Sequence, residues 1–143
     1  MRTPQTRTIR CALILLPLLV GAAGIEAVAQ TQLELNEQAS AAYKKAEAEM
    51  NRTYQKILRE YRSDKRFTLK LRTAQRAWLA YRDAHLESLY PALDKRAEYG
   101  SINPMCQANV LEEMTLERTK LLRQWVDGIP EGDACAGSIK TKE

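Results

Sequence analysis

The feature that most constrains this chain is a run without a single proline or glycine from Leu33 to Tyr61. Within it apolar side chains recur at Leu35, Ala39, Ala42, Ala46, Met50, Tyr54, Ile57 and Tyr61, always three or four residues apart. That period belongs to one face of an α-helix and has no place in a strand, so the run predicts one long amphipathic helix. "RSDKR" interrupts the pattern, and Ser63 or Asp64 is suited to accept from the first free amides of a second helix. The next stripe is Phe67, Leu71, Ala74, Trp78, Tyr81, His85 and Leu89, with Pro91 expected to bend or split the segment because it lacks a helical donor. Gly100 is placed to end it, and Asn103 before Pro104 reads as the N-cap and first turn of a third helix. Val110 or Leu111, Met114, Leu121, Leu122 and Trp125 supply that helix with an apolar face. The expected fold is therefore all-α: three long antiparallel helices in an up-down-up bundle, the second bent near Pro91, followed by a flexible polar tail.

The amino terminus bears on where such a fold would work. Arg2, Arg7 and Arg10 precede an apolar run from Cys11 to Ile25, and Ala27-Val28-Ala29 has the small residues of a signal-peptidase site. Residues 1–29 are expected to be a cleaved signal peptide, residues 30–127 a helical domain and residues 128–143 a polar tail. The apolar run is short for a membrane span, and no later segment resembles one. The implied location is periplasmic or secreted. The 143-residue chain carries a formal charge of +4, and three of its cations fall in the leader. Elsewhere Lys and Arg alternate with Asp and Glu, so no nucleic-acid surface is expected.

Cys106 and Cys135 lie beyond the leader. In an oxidising compartment an even pair is expected to form one disulfide, closing a loop of about 30 residues worth roughly 3 to 4 kcal/mol and tying the tail down. His85 is the one histidine of the chain, too few for a zinc site or a histidine-based catalytic scheme. The chain is read as a non-enzyme with no cofactor and no metal.

The densest chemistry is "AQRAWLAYRDA", residues 74–84, in which Gln75, Trp78 and Arg82 share a helical face. One reading makes it a binding face, with Trp78 packed on a partner and Arg82 donating a charged fork. The other makes it the structural seam of the second helix, with Trp78 in the core and Arg82 bonded to neighbouring helices, for instance at Asn51 or Thr115. The structural reading is preferred, with Arg82 and Gln75 in an interhelical polar network.

"MNRTY" (50–54), "LRTAQRAWLAYRDA" (71–84), "YGSINPM" (99–105) and "MTLERTKLL" (114–122), in that order and spacing, resemble the LprI-type family of small secreted helical domains. By that resemblance Asn51, Tyr54, Gln75, Trp78, Arg82, Asp83, Gly100, Ser101, Thr115 and Arg118 occupy the signature positions. Where many members carry a cysteine pair joining two helices, this chain has Leu86 and residues around Val110. The resemblance implies a binding protein that inhibits a lysozyme-like muramidase. The alternative is a periplasmic structural or envelope-stress interaction module with another envelope protein as partner. A concave glycosidase cleft flanked by carboxylates accepts protruding donors. "EYGSIN" is the expected inhibitory loop, with Tyr99 to stack on a sugar subsite and Gly100, Ser101, Lys95 or Arg96 beside it.

Overall fold

The computed structural model describes residues 31–142, so the expected signal segment lies outside the described residues. The fold is all-helical, with α1 at Gln32–Glu60, α2 at Lys65–Leu89, a short α3 at Lys95–Tyr99 and α4 at Asn103–Asp127. Local chemistry accounts for most of the boundaries. Thr31 and Glu34 form a reciprocal capping box at the start of α1, and Asp64 accepts from Phe67 N at 2.9 Å at the start of α2. The expected bend near Pro91 is a stop: α2 ends at Leu89, Tyr90 is its C-cap, and the chain restarts as α3 behind an Asp94 cap. Proline disfavours helical backbone in the residue before it, and nothing beyond Pro91 holds a helix across the break. Four helices thus stand where three were expected. Asn103 is not the cap of α4. Ile102 takes that position without a side-chain bond, while Asn103 lies buried in the first turn.

Asn36, near the start of α1, donates to Ser101 O at 3.1 Å just ahead of α4. Tyr61, at the other end, donates to Trp125 O at 3.1 Å. The two helices therefore run side by side in the same direction. Their buried residues explain the closeness of the pairing: Ala39, Ala46 and Thr53 on α1 and Ala108, Thr115 and Leu122 on α4 each recur at seven-residue spacing, and most are small. The residues that α2 buries are Leu71, Gln75 and Arg82, which are larger. It runs against both neighbours, with Phe67 near its start 6.0 Å from the Trp125 ring and Arg82 near its end facing Tyr43.

The large apolar residues gather toward the α1–α2 turn. Met50, Ile57, Leu58, Leu71 and Leu122 form the buried cluster, and Tyr54, Tyr61, Phe67, Trp78, Leu79, Trp125 and Val126 pack around it. Toward the opposite end, near Gly100, the buried residues are small or polar, Ala39, Ala108 and Asn103, and the Asn103 Oδ1 has no hydrogen-bond partner among the described residues.

The tail corrects two expectations. Gly128 ends α4 at φ +75°, and the chain turns back so that Ile129 N donates to Lys140 O at 3.0 Å and Lys142 N donates to Ile129 O at 2.8 Å. Trp125 Nε1 donates to Ser138 Oγ at 3.1 Å, and Lys140 lies 3.5 Å from Glu60. The tail is thus held by backbone pairing and not by a disulfide, and Cys106 and Cys135 are both free. The geometry forbids that bridge, because Cys106 sits in the first turn of α4 while the tail folds onto its last, about 30 Å further along the axis. A Cβ at Gly128 would meet Lys140 O at 3.0 Å in a backbone region that side chains rarely adopt. Gly128→Ala is expected to cost about 1 to 3 kcal/mol and to free the tail. Faster tryptic cleavage at Lys140 and a lower urea midpoint are the readouts; an unchanged pair would mean that the tail is not held there.

Candidate functional site

Two regions collect the residues singled out by the sequence. The first is the column Gln75, Trp78 and Arg82 on α2. Gln75 is 4% exposed; its Oε1 accepts from Arg118 Nε at 3.0 Å and its amide nitrogen donates to Met50 Sδ at 3.5 Å, linking α4 to α1 through α2. Two guanidinium carbons lie near the Trp78 ring, Arg82 at 5.5 Å and Arg118 at 5.9 Å from its centroid. Burial pushes Arg118 down from the usual arginine value.

Arg82 is 7% exposed. Its Nε and Nη2 donate to Asp83 Oδ1 at 2.9 and 2.8 Å, and its Nη1 stands 3.6 Å from Glu47 Oε1, an ion-pair distance beyond good hydrogen-bonding range. The Tyr43 ring lies 5.9 Å from the guanidinium, and Tyr43 donates to Glu47 at 3.1 Å. Burial raises Tyr43 above its ordinary value, opposed by the Arg82 charge and reinforced by Glu47. Neither expected partner of Arg82 takes that part. Asn51 is exposed and lines a groove between α1 and α4, and the fully buried Thr115 hydroxyl has no partner among the described residues. Arg82 instead takes the neighbouring Asp83 on its own helix and Glu47 on α1. Tyr54 is half-buried against the core cluster. The column ties three helices together and presents no nucleophile.

The second region is the end of the molecule where α3, the following loop and the start of α1 converge. Tyr99 is turned inward: its ring meets Tyr90 edge-on at 5.4 Å and its hydroxyl accepts from Ala92 N at 3.3 Å. In this structure it braces the chain after Pro91. Gly100 closes α3 at φ +72°, and Gly100 and Ser101 are both exposed. A shallow cleft of about 420 Å³ opens here between Leu33 and Asn36 of α1, Arg96 of α3 and the segment Gly100–Pro104. Lys95 is engaged by Glu87 at 2.7 Å, whereas Arg96 makes no ion pair among the described residues. Leu33 lines it, and two further apolar side chains on the segments next in sequence to its walls are exposed, Ile102 and the fully exposed Leu93. The sequence reading named none of the three as a contact, although Ile102 falls inside the expected loop "EYGSIN". Leu93 and Ile102 lie in the breaks between helices, where an apolar residue has no stripe to join.

A family model described as "Lysozyme inhibitor LprI" matches residues 25–122. The chain belongs to the LprI family. The match spans α1 to α3 and α4 as far as Leu122, so both the α2 column and the Gly100 end are part of the LprI region while the folded-back tail lies beyond it. An uncharacterized protein of Rhizobium meliloti (strain 1021) is 32% identical over 110 residues, covering 69% of this chain and 76% of that protein. No solved structure matches the chain. Among the described residues of this LprI protein there is no helix long and apolar enough to cross a membrane and no group of three or more His, Cys, Asp or Glu side chains placed to hold a metal.

Proposed function

We propose that this LprI-family chain is an exported, non-catalytic binding protein that inhibits a lysozyme-like muramidase, and that the Gly100 end is the part that enters the enzyme. The observation that carries this is the combination at one end of an unpaired Arg96 with exposed Leu93, Ile102 and Ser101. A muramidase cleft presents two catalytic carboxylates flanked by sugar subsites. Arg96 supplies a planar donor for a carboxylate, and the leucine and isoleucine supply surface for the apolar faces of the subsites. The chain is basic overall, so attraction to a basic lysozyme is expected to come from these local contacts and not from long-range steering.

The test is turnover of bacterial cell walls by a panel of lysozyme classes, titrated with the purified protein and with Arg96→Glu and Leu93→Asp variants. The expected result is saturable one-to-one inhibition of at least one class, weakened about tenfold or more by either substitution, about 1.4 kcal/mol or more, with the fold intact. Absence of inhibition at tens of micromolar, roughly −6 kcal/mol, would remove the proposal.

A second reading has an observation of its own. On the α2–α4 side, Trp78, Tyr81, His85, Leu89, Val110 and Met114 line an open groove of about 490 Å³ in which Tyr81 is 59% exposed. Such a groove suits an amphipathic helix of another envelope protein. This reading gains if inhibition fails and Tyr81→Asp abolishes capture of an envelope partner that the purified wild-type protein binds directly.

A further inference from the structure

A groove along α1 and α4 includes no residue of α2, lies apart from the Gly100 end, and is the roomiest concavity described, about 790 Å³. That volume is in the range of small-ligand sites. Its walls carry Arg52, Lys56 and Arg59 on α1 and Arg123 on α4, with the amides of Asn51 and Gln55 between them. Lys120 and Lys142 continue the cationic line around Arg123 in an adjoining cleft. Two carboxylates stand against these, Glu49 and Asp127.

Glu49 is already engaged. It accepts from Arg52 Nη2 at 2.6 Å and, through its other oxygen, from Arg123 Nη2 at 2.9 Å across the groove. One carboxylate thereby fixes two guanidiniums on opposite walls, and their hydrogen bonds, Arg123 first and Arg52 next, hold Glu49 below the ordinary glutamate range. Both arginines remain largely in water, with side chains 67% and 53% exposed, so most of their donors stay available. Arg59 makes no ion pair among the described residues, and Lys56 has only a 3.7 Å contact with Glu60.

The groove therefore offers an elongated row of donors with a local excess of positive charge. None of its lining residues is aromatic. A single-stranded nucleic acid takes much of its affinity from stacking on aromatic side chains, and a membrane surface would call for an apolar face beside the cations. A chain of sugars bearing acidic groups needs neither. It presents oxyanions at intervals along its length for guanidinium and ammonium groups, and hydroxyls for the amides. We propose that the α1–α4 groove binds an anionic glycan through its carboxylate or phosphate groups. The proposal is independent of muramidase inhibition, because it uses none of the residues at the Gly100 end.

The experiment is calorimetric titration of the purified protein with a short oligogalacturonate at low and at physiological salt, with maltohexaose as neutral control and inorganic phosphate as free anion. The expected result is saturable binding of the oligogalacturonate that weakens as salt is raised, at least about tenfold tighter than either control. Arg52→Gln with Arg123→Gln is expected to weaken it about tenfold or more, and Arg59→Gln alone a few-fold. Arg72→Gln with Arg76→Gln, exposed on α2, is expected to leave it unchanged. All these side chains are exposed, and an unchanged urea midpoint would confirm that the variants fold. The proposal is overturned if oligogalacturonate does not bind, if maltohexaose binds as well, if phosphate alone matches it, or if the α2 pair weakens binding as much as the groove pair.

Discussion

Leu122→Ala is expected to lower the folding free energy by about 3 kcal/mol, the middle of the range for truncating a fully buried leucine. Leu122 is 0% exposed and belongs to the same buried cluster as Met50, Ile57, Leu58 and Leu71, so residues of all three long helices share its surroundings. Truncation removes its transfer free energy and leaves a cavity that the helices cannot close together, since each is held by separate caps and ties. A domain of this size has about 5 to 15 kcal/mol in all, so the loss is a large fraction. Urea unfolding should show a lower midpoint with an unchanged slope. A change below about 1 kcal/mol would mean that the site collapses freely and that the core is centred elsewhere.

Arg82→Ala is expected to cost about 2 kcal/mol. Breaking a buried ion pair by removing one partner typically costs 3 to 5 kcal/mol, about the charge of an orphaned group kept from water. Here the partners Asp83 and Glu47 have side chains 64% and 38% exposed and would rehydrate, which places the cost below that range. What is lost is the packing of a buried stem and two contacts with the Trp78 and Tyr43 rings, each worth about 0.5 to 2 kcal/mol. Arg82→Met, which keeps the stem, is expected to recover about half of the loss. If both variants unfold at the wild-type midpoint, the side chain does not lie between the rings, and the 74–84 segment regains its standing as a binding face.

How far the fold could be read in advance differs from helix to helix. The stripe from Leu35 to Tyr61 needed only its period, because a run of 29 residues with no proline or glycine has no competing local solution. Asp64 was legible as a cap for the same local reason. Pro91 was legible as a bend or a split but not as which of the two: whether a helix bends or ends there depends on what packs beyond it, and Tyr99 bracing Ala92 is a contact made after the chain has turned. Asn51 shows the limit of motif reading. Its place in "MNRTY" suggested an inward role, yet it follows Met50 by about 100° of helical rotation, and the structure leaves it exposed in the groove beside α4.

The same division runs through the sites. Gln75, Trp78 and Arg82 could be placed on one face by counting, and the structure adds Arg118 from α4 beside the tryptophan, which no local spacing predicts. Ser101 was legible as a residue of the loop before α4, and Arg96 as a cation beside that loop though not as part of a helix. Leu93, Leu33 and Ile102 were not, because an exposed apolar residue is ordinary until others are seen beside it.

By itself the sequence determined an all-helical chain, the extent of α1 and the start of α2 to within a few residues, and membership in a family whose motifs run through both. These are properties of short-range periodicity and capping, which act over three or four residues whatever the rest of the chain does. Only the tertiary structure decided that α1 lies closest to α4, that Cys106 and Cys135 stand at opposite ends of a helix, and that Arg52 and Arg123 meet over one carboxylate. Those outcomes depend on which side chains are small enough to let two backbones approach, a property of pairs of surfaces and not of any one segment.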